Sequence, residues 1–239
     1  MFKGNRRNVA LFVPKAARDA VWERELNKYL PQVLDGFLPF RIFNHTDLHR
    51  EKFERAFESV KNEADVIIID EAHHFRNRGR RSLEDKEKRS RYFRMLELTA
   101  DKQVFLLTAT PINNRLLDLK HLIDLFAQEE DQHFAKTLGI PSLNGYFKAL
   151  ERQLEDEADL REGVSTVGHQ LDMGLASDLL EQNHLFKEIV VQRSRKYVKD
   201  SLSIVNQGQL LFPVRDKPKV ADYSVQKTYG DLLDKIETA

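Results

Sequence analysis

The sequence predicts an α/β protein with a mostly parallel sheet, helices on both faces of that sheet, and a helical second half. Two observations support this fold class. Short, continuously apolar runs alternate with longer segments of helical spacing, and β-branched residues fill the strongest run. Strands that are apolar on both sides are typical of parallel sheets that are covered on both faces. Such sheets carry their chemistry at the carboxyl ends of the strands.

Four short apolar runs predict the strands. They are Val9–Val13, Phe40–Phe43, Asp65–Asp70 and Val104–Leu107. The third is the strongest, because valine and isoleucine alone fill its interior. Apolar residues at helical spacing predict four helices around these strands. These are Ala16–Leu30, a helix N-capped by Asp47, Tyr92–Leu98 and Asn114–Ala127.

The second half of the chain has a different composition. It is polar, with helical spacing at Phe147, Leu150 and Leu154 and one more predicted helix over Leu175–Val191. A late strand and a final helix are predicted at Lys219–Tyr223 and Ser224–Glu237. We therefore predict three regions. They are a sheet domain over 1–127, a mostly helical region over 128–205, and a linker with the start of another domain over 206–239.

Composition excludes several classes of function. Lys and Arg number 38 and Asp and Glu also number 38, so the chain as a whole is not a basic nucleic-acid clamp. The absence of cysteine excludes disulfides, thiolate zinc sites and cysteine nucleophiles. No apolar run approaches the roughly 20 residues of a membrane span, so we expect a cytoplasmic protein without membrane contact.

The strand of valine and isoleucine leads directly into Asp70, Glu71, Ala72 and His73. An acid at this position is where a nucleotide-hydrolysing sheet holds Mg²⁺, directly or through a bound water. A second carboxylate one residue later lies within reach of the attacking water. The alternative is a solvated turn after a strand. We favour the nucleotide site, because the complete DEAH sequence follows four apolar residues.

A second motif follows the fourth predicted strand. Thr108 and Thr110 flank an alanine there, before a proline turn and a helix. Two hydroxyls at the end of a strand can hydrogen-bond the preceding motif, although capping of the next helix is the simpler alternative. Trp22 lies on the helix after the first strand, where we expect it to be packed rather than to stack on a base.

DVIIIDEAHHFRN and VFLLTATPINNRLLDL resemble motifs II and III of superfamily 2 helicases. Within that superfamily they look most like the SWI/SNF-type ATPases, which translocate on duplex DNA. VALFVPKAARDAVWEREL resembles motif Ia of that family, and IVVQRSRKYVKD its arginine-rich segment near the end of the first motor lobe. FPVRDKPKVADYSVQKTYGDLLDKI resembles the lead-in to the second lobe.

The resemblance implies a RecA-like first lobe of the P-loop NTPase type, which uses ATP and Mg²⁺. It implies that Asp70 is the metal carboxylate, acting through a water, and that Glu71 activates the attacking water. It also implies three groups that couple this site to double-stranded DNA, namely His73, Thr108 and Thr110. A DNA-backbone surface would lie near Pro14 and Lys15. The lobe junction would hold Arg193, Arg195 and Lys196.

None of the 10 glycines is followed by lysine, so the chain has no GxxxxGK[ST] phosphate loop. We therefore expect a fragment of a DNA-dependent ATPase, a hydrolase acting on acid anhydrides. The phosphate loop and the second motor lobe would be supplied by sequence outside these 239 residues, and this chain alone is predicted to be inactive. Two alternatives remain open. They are a non-catalytic DNA- or protein-binding module, and one subunit of a split ATPase. A large exposed apolar patch at the sheet edge near Val9 would favour the split ATPase.

Overall fold

The computed structural model describes residues 7–31, 40–79, 90–112, 115–162 and 182–191. The chain divides into two units, Met1–Ile189 and Val190–Ala239. The description that follows concerns the first unit. The predicted segments Lys219–Tyr223 and Ser224–Glu237 lie outside the described residues, and the predicted domain boundaries after 127 and 205 stay predictions.

The described sheet has four strands, which are β1 (Val9–Val13), β2 (Phe40–Asn44), β3 (Val66–Ile69) and β4 (Gln103–Leu106). Their order is β2-β1-β3-β4, and every neighbouring pair is parallel. The predicted parallel sheet is confirmed, and each strand lies within one residue of its predicted bounds. Asp65 and Asp70 flank β3 instead of belonging to it.

The helices of the first half follow the strands. A helical stretch after β1 has three sections, which are α1 (Lys15–Ala17), a π-helical segment (Arg18–Glu23) and α2 (Arg24–Tyr29). Two short 3₁₀ turns, His45–His49 and Glu51–Phe53, precede α3 (Glu54–Glu63). A third 3₁₀ turn, Ala72–Phe75, follows β3, and α4 (Arg91–Thr99) and α5 (Leu116–Ala127) flank β4 in the chain.

Asp47 was expected to be the N-cap of the helix after β2, and this is wrong. The first 3₁₀ turn begins at His45, directly at the end of β2, so Asn44 is the capping residue. The Asp47 carboxylate reaches back instead and accepts the backbone N–H of Asn44 at 2.8 Å. An acid three residues after the cap satisfies one of the free N–H groups at the start of the turn.

Helices cover both faces of the sheet. The connection from β1 to β2 runs in one direction along the sheet, and the connections from β2 to β3 and from β3 to β4 run in the other. Right-handed crossovers therefore place the helical stretch after β1 on one face and the later helices on the opposite face. On one face, Phe12 and Ile69 join a core cluster with Phe57 of α3 and Met95 of α4. On the other face of β1, Leu11 is also fully buried.

An exposed apolar sheet edge near Val9, the observation that would have favoured the split ATPase, is not found in the described part of the chain. β1 lies inside the sheet and pairs on one side with β2 and on the other with β3. Phe105 of β4 is 47% exposed, and Leu107, directly after this strand, is 42% exposed. β4 is the last strand of the sheet within the described part of the chain.

The described part of the second half begins with turns over 128–142 and then holds two helices, the second within the predicted helix Leu175–Val191, whose first part lies outside the described residues. The two helices are α6 (Leu143–Glu162) and α7 (His184–Ile189). The three apolar residues at helical spacing in α6, which are Phe147, Leu150 and Leu154, are all buried. The ring centroid of Phe147 lies 6.0 Å from that of Phe186 in α7. Among the described residues, no helix has both the length and the apolarity that crossing a membrane requires.

Candidate nucleotide site

The carboxyl ends of β1, β3 and β4 form one edge of the sheet. The connections from β1 and from β3 leave in opposite directions, so the described sheet changes its winding direction between these two strands. Ligands of open α/β sheets bind outside the carboxyl ends of strands at such a point. Asp70 lies there, and its backbone N–H continues the ladder by donating to the carbonyl of Phe12 at 2.9 Å.

Both carboxylate oxygens of Asp70 accept a hydrogen bond. The indole N–H of Trp22 donates to Oδ2 at 2.7 Å, and the backbone N–H of Glu71 donates to Oδ1 at 3.0 Å. Trp22 is thus partly buried, as expected. It also contacts Asp70, a role in the site that was not predicted from the sequence. The chemistry of the side chain could have indicated this role, because the N–H of a buried indole usually needs a hydrogen-bond acceptor.

Glu71 has a left-handed backbone conformation, with φ 47° and ψ 49°. An L-residue other than glycine pays roughly 1–2 kcal/mol for this conformation. Such strain is concentrated at functional sites, where the surrounding structure holds it in place. The conformation turns the chain sharply after β3, and the Glu71 side chain then meets His73. The distance between Glu71 Oε2 and His73 Nδ1 is 3.0 Å.

The end of β4 meets the same histidine. Thr108 Oγ1 lies 3.5 Å from His73 Nδ1, the outer limit of a hydrogen bond, and the N–H of Ala72 donates to the Leu107 carbonyl at 2.9 Å. Thr110 contacts Thr108 only through its backbone N–H, at 3.2 Å from Oγ1. The structure therefore places the predicted pair Thr108 and His73 together. It does not bring the Thr110 hydroxyl to the motif.

Three histidines cluster beside this turn. The ring centroids of His73 and His74 are 4.4 Å apart, and those of His74 and His45 are 5.5 Å apart. Burial, and after it the neighbouring His74, lower the pKa of His45 to about 4. Burial and then His73 lower the pKa of His74. Both rings are therefore neutral at pH 7.

The two carboxylates fit a magnesium ion by their chemistry. Mg²⁺ prefers hard oxygen ligands and is usually held by one or two carboxylates together with substrate phosphates and waters. Within the described residues, no group of three or more His, Asp or Glu side chains forms a closed metal cage. Asp70 and Glu71 supply carboxylate oxygens of the kind that such a partly open site uses.

The remaining predicted site residues fall into two groups. Pro14 caps the first turn after β1, where its carbonyl accepts the N–H of Ala17 at 2.9 Å, and Lys15 is exposed. Both lie at the carboxyl end of β1, at the same edge of the sheet as Asp70. The predicted lobe-junction residues lie outside the described residues. They are Arg193, Arg195 and Lys196.

Residues 39–113 match the family model described as type III restriction enzyme, res subunit. The matched segment runs from β2 to the turn after β4, so it includes Asp70, Glu71, His73 and Thr108. A search of curated proteins gave no match. The family match and the parallel sheet agree with a RecA-like α/β fold, and the match indicates a superfamily 2 helicase-like domain in this chain.

Proposed function

We propose that this chain forms most of the first motor lobe of an ATP-dependent DNA translocase of the SWI/SNF type. The observation that carries the proposal is the Asp70–Glu71 pair at the carboxyl end of β3, in contact with Trp22 and His73. The match over residues 39–113 supports the helicase-like superfamily. The SWI/SNF type is proposed from the sequence motifs around Trp22, Asp70 and Thr108.

Each residue of the pair has its own task in this proposal. The fixed carboxylate of Asp70 would hold Mg²⁺, directly or through a water. When bound, Mg²⁺ neutralises charge on the phosphates during transfer. Glu71 accepts the proton of the attacking water, and its contact with His73 orients the carboxylate. His73 contacts both Glu71 and Thr108, and so connects the Glu71 carboxylate to the end of β4.

The phosphate loop is proposed to come from sequence outside these 239 residues, since none of the chain's glycines precedes a lysine. The same holds for the second lobe, which would supply the arginine finger. Such a finger alone contributes about 10³-fold or more to turnover. We therefore expect no DNA-stimulated phosphate release from the 239-residue chain by itself. Steady release that disappears in Glu71→Gln would contradict this expectation.

The decisive experiment measures DNA-stimulated ATP hydrolysis by a polypeptide that contains this chain together with the phosphate loop and second lobe of its source locus. Glu71→Gln should lower kcat by roughly 10²–10⁴-fold, with little change in KM, because it removes the base but not the binding contacts. Glu51→Gln, an exposed glutamate in the second 3₁₀ turn, is the matched control. Equal rates for both variants would refute the assignment of Glu71.

Double-stranded DNA is the proposed partner. Lys15 is exposed at the sheet edge that carries Asp70, and it can contact a phosphate there. Lys15→Gln should weaken binding of duplex DNA independently of its sequence and reduce the slope of log K against log salt by about 1. Lys52→Gln, an exposed lysine in the turn before α3, should leave both unchanged. Fluorescence anisotropy of labelled duplex DNA at several salt concentrations measures both quantities.

A second candidate is one subunit of a split ATPase, and the exposed end of β4 favours it. Phe105 on the last described strand and Leu107 directly after it expose 47% and 42% of their surfaces, respectively. An uncovered strand with apolar side chains is a surface for pairing with another chain. In this case a separately encoded polypeptide with the phosphate loop should co-purify with this chain and restore hydrolysis. Phe105→Lys should abolish the pairing.

A further inference from the structure

We propose that Trp22 is a positioning residue for the Asp70 carboxylate, so that the helical stretch after β1 controls how firmly this site holds a divalent cation. The inference rests on the proposed function of Asp70 and extends it to a residue outside the DEAH motif. It starts from a bond between residues 48 positions apart in the chain, the 2.7 Å contact from the indole N–H to Asp70 Oδ2.

The two bonds to Asp70 fix the orientation of its carboxylate. Trp22 holds Oδ2 and the Glu71 backbone holds Oδ1, so rotation about the last side-chain bond would break both contacts. Each carboxylate oxygen keeps further lone pairs for a cation or its waters. Groups that hydrogen-bond a metal-binding carboxylate set its direction, and their loss typically costs 10–100-fold in metal affinity or activity.

The local backbone supports a specific role for Trp22. It lies in the π-helical segment Arg18–Glu23. Such turns are rare in proteins as a whole, and those that occur are often found at functional sites. Arg18 Nε donates to Glu23 Oε1 at 3.0 Å, an i,i+5 pair that matches the hydrogen-bond spacing of a π-helix. This pair closes the segment that presents the indole to Asp70.

The same bond makes the site observable, because Trp22 is the only tryptophan in the chain. The full 239-residue chain labelled with ¹⁵N therefore gives one indole N–H resonance, which reports directly on Asp70. In the wild type we expect this resonance to be shifted downfield and protected from exchange. Asp70→Ala should move this resonance upfield and speed its exchange. If the alanine variant does not fold, Asp70→Asn replaces it and should cause the same changes to a smaller extent.

Asp65→Ala is the matched control, since Asp65 flanks the opposite end of β3 and its carboxylate accepts the N–H of Asn8 at 2.8 Å. This variant should leave the indole resonance in place. An indole signal that is unchanged in Asp70→Ala and Asp70→Asn would overturn the proposal. This comparison involves no metal or nucleotide, so its failure is separate from any failure of the proposed function.

The second measurement titrates the chain with Mn²⁺ as a paramagnetic probe for Mg²⁺. Trp22→Phe should raise the Mn²⁺ dissociation constant by about 10-fold or more while the unfolding midpoint stays close to that of the wild type. Equal Mn²⁺ affinity in the two proteins would overturn the positioning role. An indole that responds to Asp70→Ala but is not broadened by Mn²⁺ supports the bond to Asp70 and counts against the proposed function.

Discussion

Lys120 and Asp124 form an ion pair inside the protein. Nζ of Lys120 lies 2.8 Å from Oδ2 and 3.1 Å from Oδ1 of Asp124, and Asp124 is only 1% exposed. Both residues belong to α5, one helical turn apart.

Removing one partner of this pair should lower the free energy of unfolding more than replacing both partners with apolar residues. Lys120→Met leaves a buried carboxylate without its cation and should lower the free energy of unfolding by about 3–5 kcal/mol. The double variant Lys120→Met/Asp124→Leu should recover most of that loss, because no uncompensated charge remains. Urea unfolding of the three proteins measures both effects. A double variant that is less stable than the single one would contradict the prediction.

The backbone of Glu71 predicts an unusual order of stability. Glu71 has φ 47°, a conformation that glycine adopts without a steric penalty. Glu71→Gly should therefore be more stable than Glu71→Ala by about 1 kcal/mol in urea unfolding. The same two substitutions at Glu51, in the second 3₁₀ turn, should give the opposite order, since glycine only adds chain entropy there. If the glycine and alanine variants had the same order of stability at both positions, the backbone strain at Glu71 would be refuted.

His45 predicts a loss of stability in acid. Burial lowers its pKa from 6.5 to about 4 in the folded protein, opposed by hydrogen bonds to the backbone of Phe12 and Asp70. The unfolded chain therefore binds the proton more readily. The stabilisation is complete above pH 6.5 and is lost as the pH falls towards 4, by an amount on the order of 3 kcal/mol.

The corresponding experiment compares the pH dependence of urea unfolding in the wild type and His45→Phe. The variant should lose much of the slope between pH 6.5 and 4 but not all of it, because burial also lowers the pKa values of His74 and His121. Phenylalanine suits the site, since the ring centroids of His45 and Phe75 are 4.9 Å apart. Identical slopes in the two proteins would show that His45 is not the acid-sensitive group.

Asp131 should stabilise the start of α6. Its Oδ1 accepts the backbone N–H of Asn144 at 2.7 Å, and this bond is the main reason that the pKa of Asp131 lies below its ordinary value. Asp131→Ala should cost about 1 kcal/mol, the usual value of a helix cap, and Asp131→Asn less. Amide hydrogen exchange of Asn144 should rise in the alanine variant. Unchanged exchange would exclude the capping role.

The strands could be predicted from the sequence because continuous apolar runs reflect burial on both faces, and the structure confirms all four. The order of the strands could not. The position of β1 inside the sheet depends on the direction of each crossover, which leaves no trace in the apolar pattern. For that reason the described sheet edge with exposed apolar side chains lies at Phe105 and Leu107 and not near Val9.

The site was predictable where its residues are close in sequence. Asp70, Glu71 and His73 lie within one turn, and the DEAH sequence carries them together. The pairing of Trp22 with Asp70 joins positions 48 residues apart and depends on how the helical stretch after β1 is wound. Asp47 was misassigned because an acid after a strand can either cap a helix or reach back to its first residues.

The π-helical segment sets the rotational phase of the helical stretch after β1. Each i→i+5 turn takes about one residue more than an α-turn, and one residue corresponds to roughly 100° of rotation about the helix axis. Trp22, counted from Lys15, therefore faces a direction that an unbroken α-helix would not give it. The segment therefore uses one extra residue to bring the indole to Asp70, and deleting Ala20 with α-helical winding restored would leave Trp22 facing nearly the same direction. A change of winding at constant length would instead turn the indole away from Asp70 while every side chain that meets there stayed in the sequence.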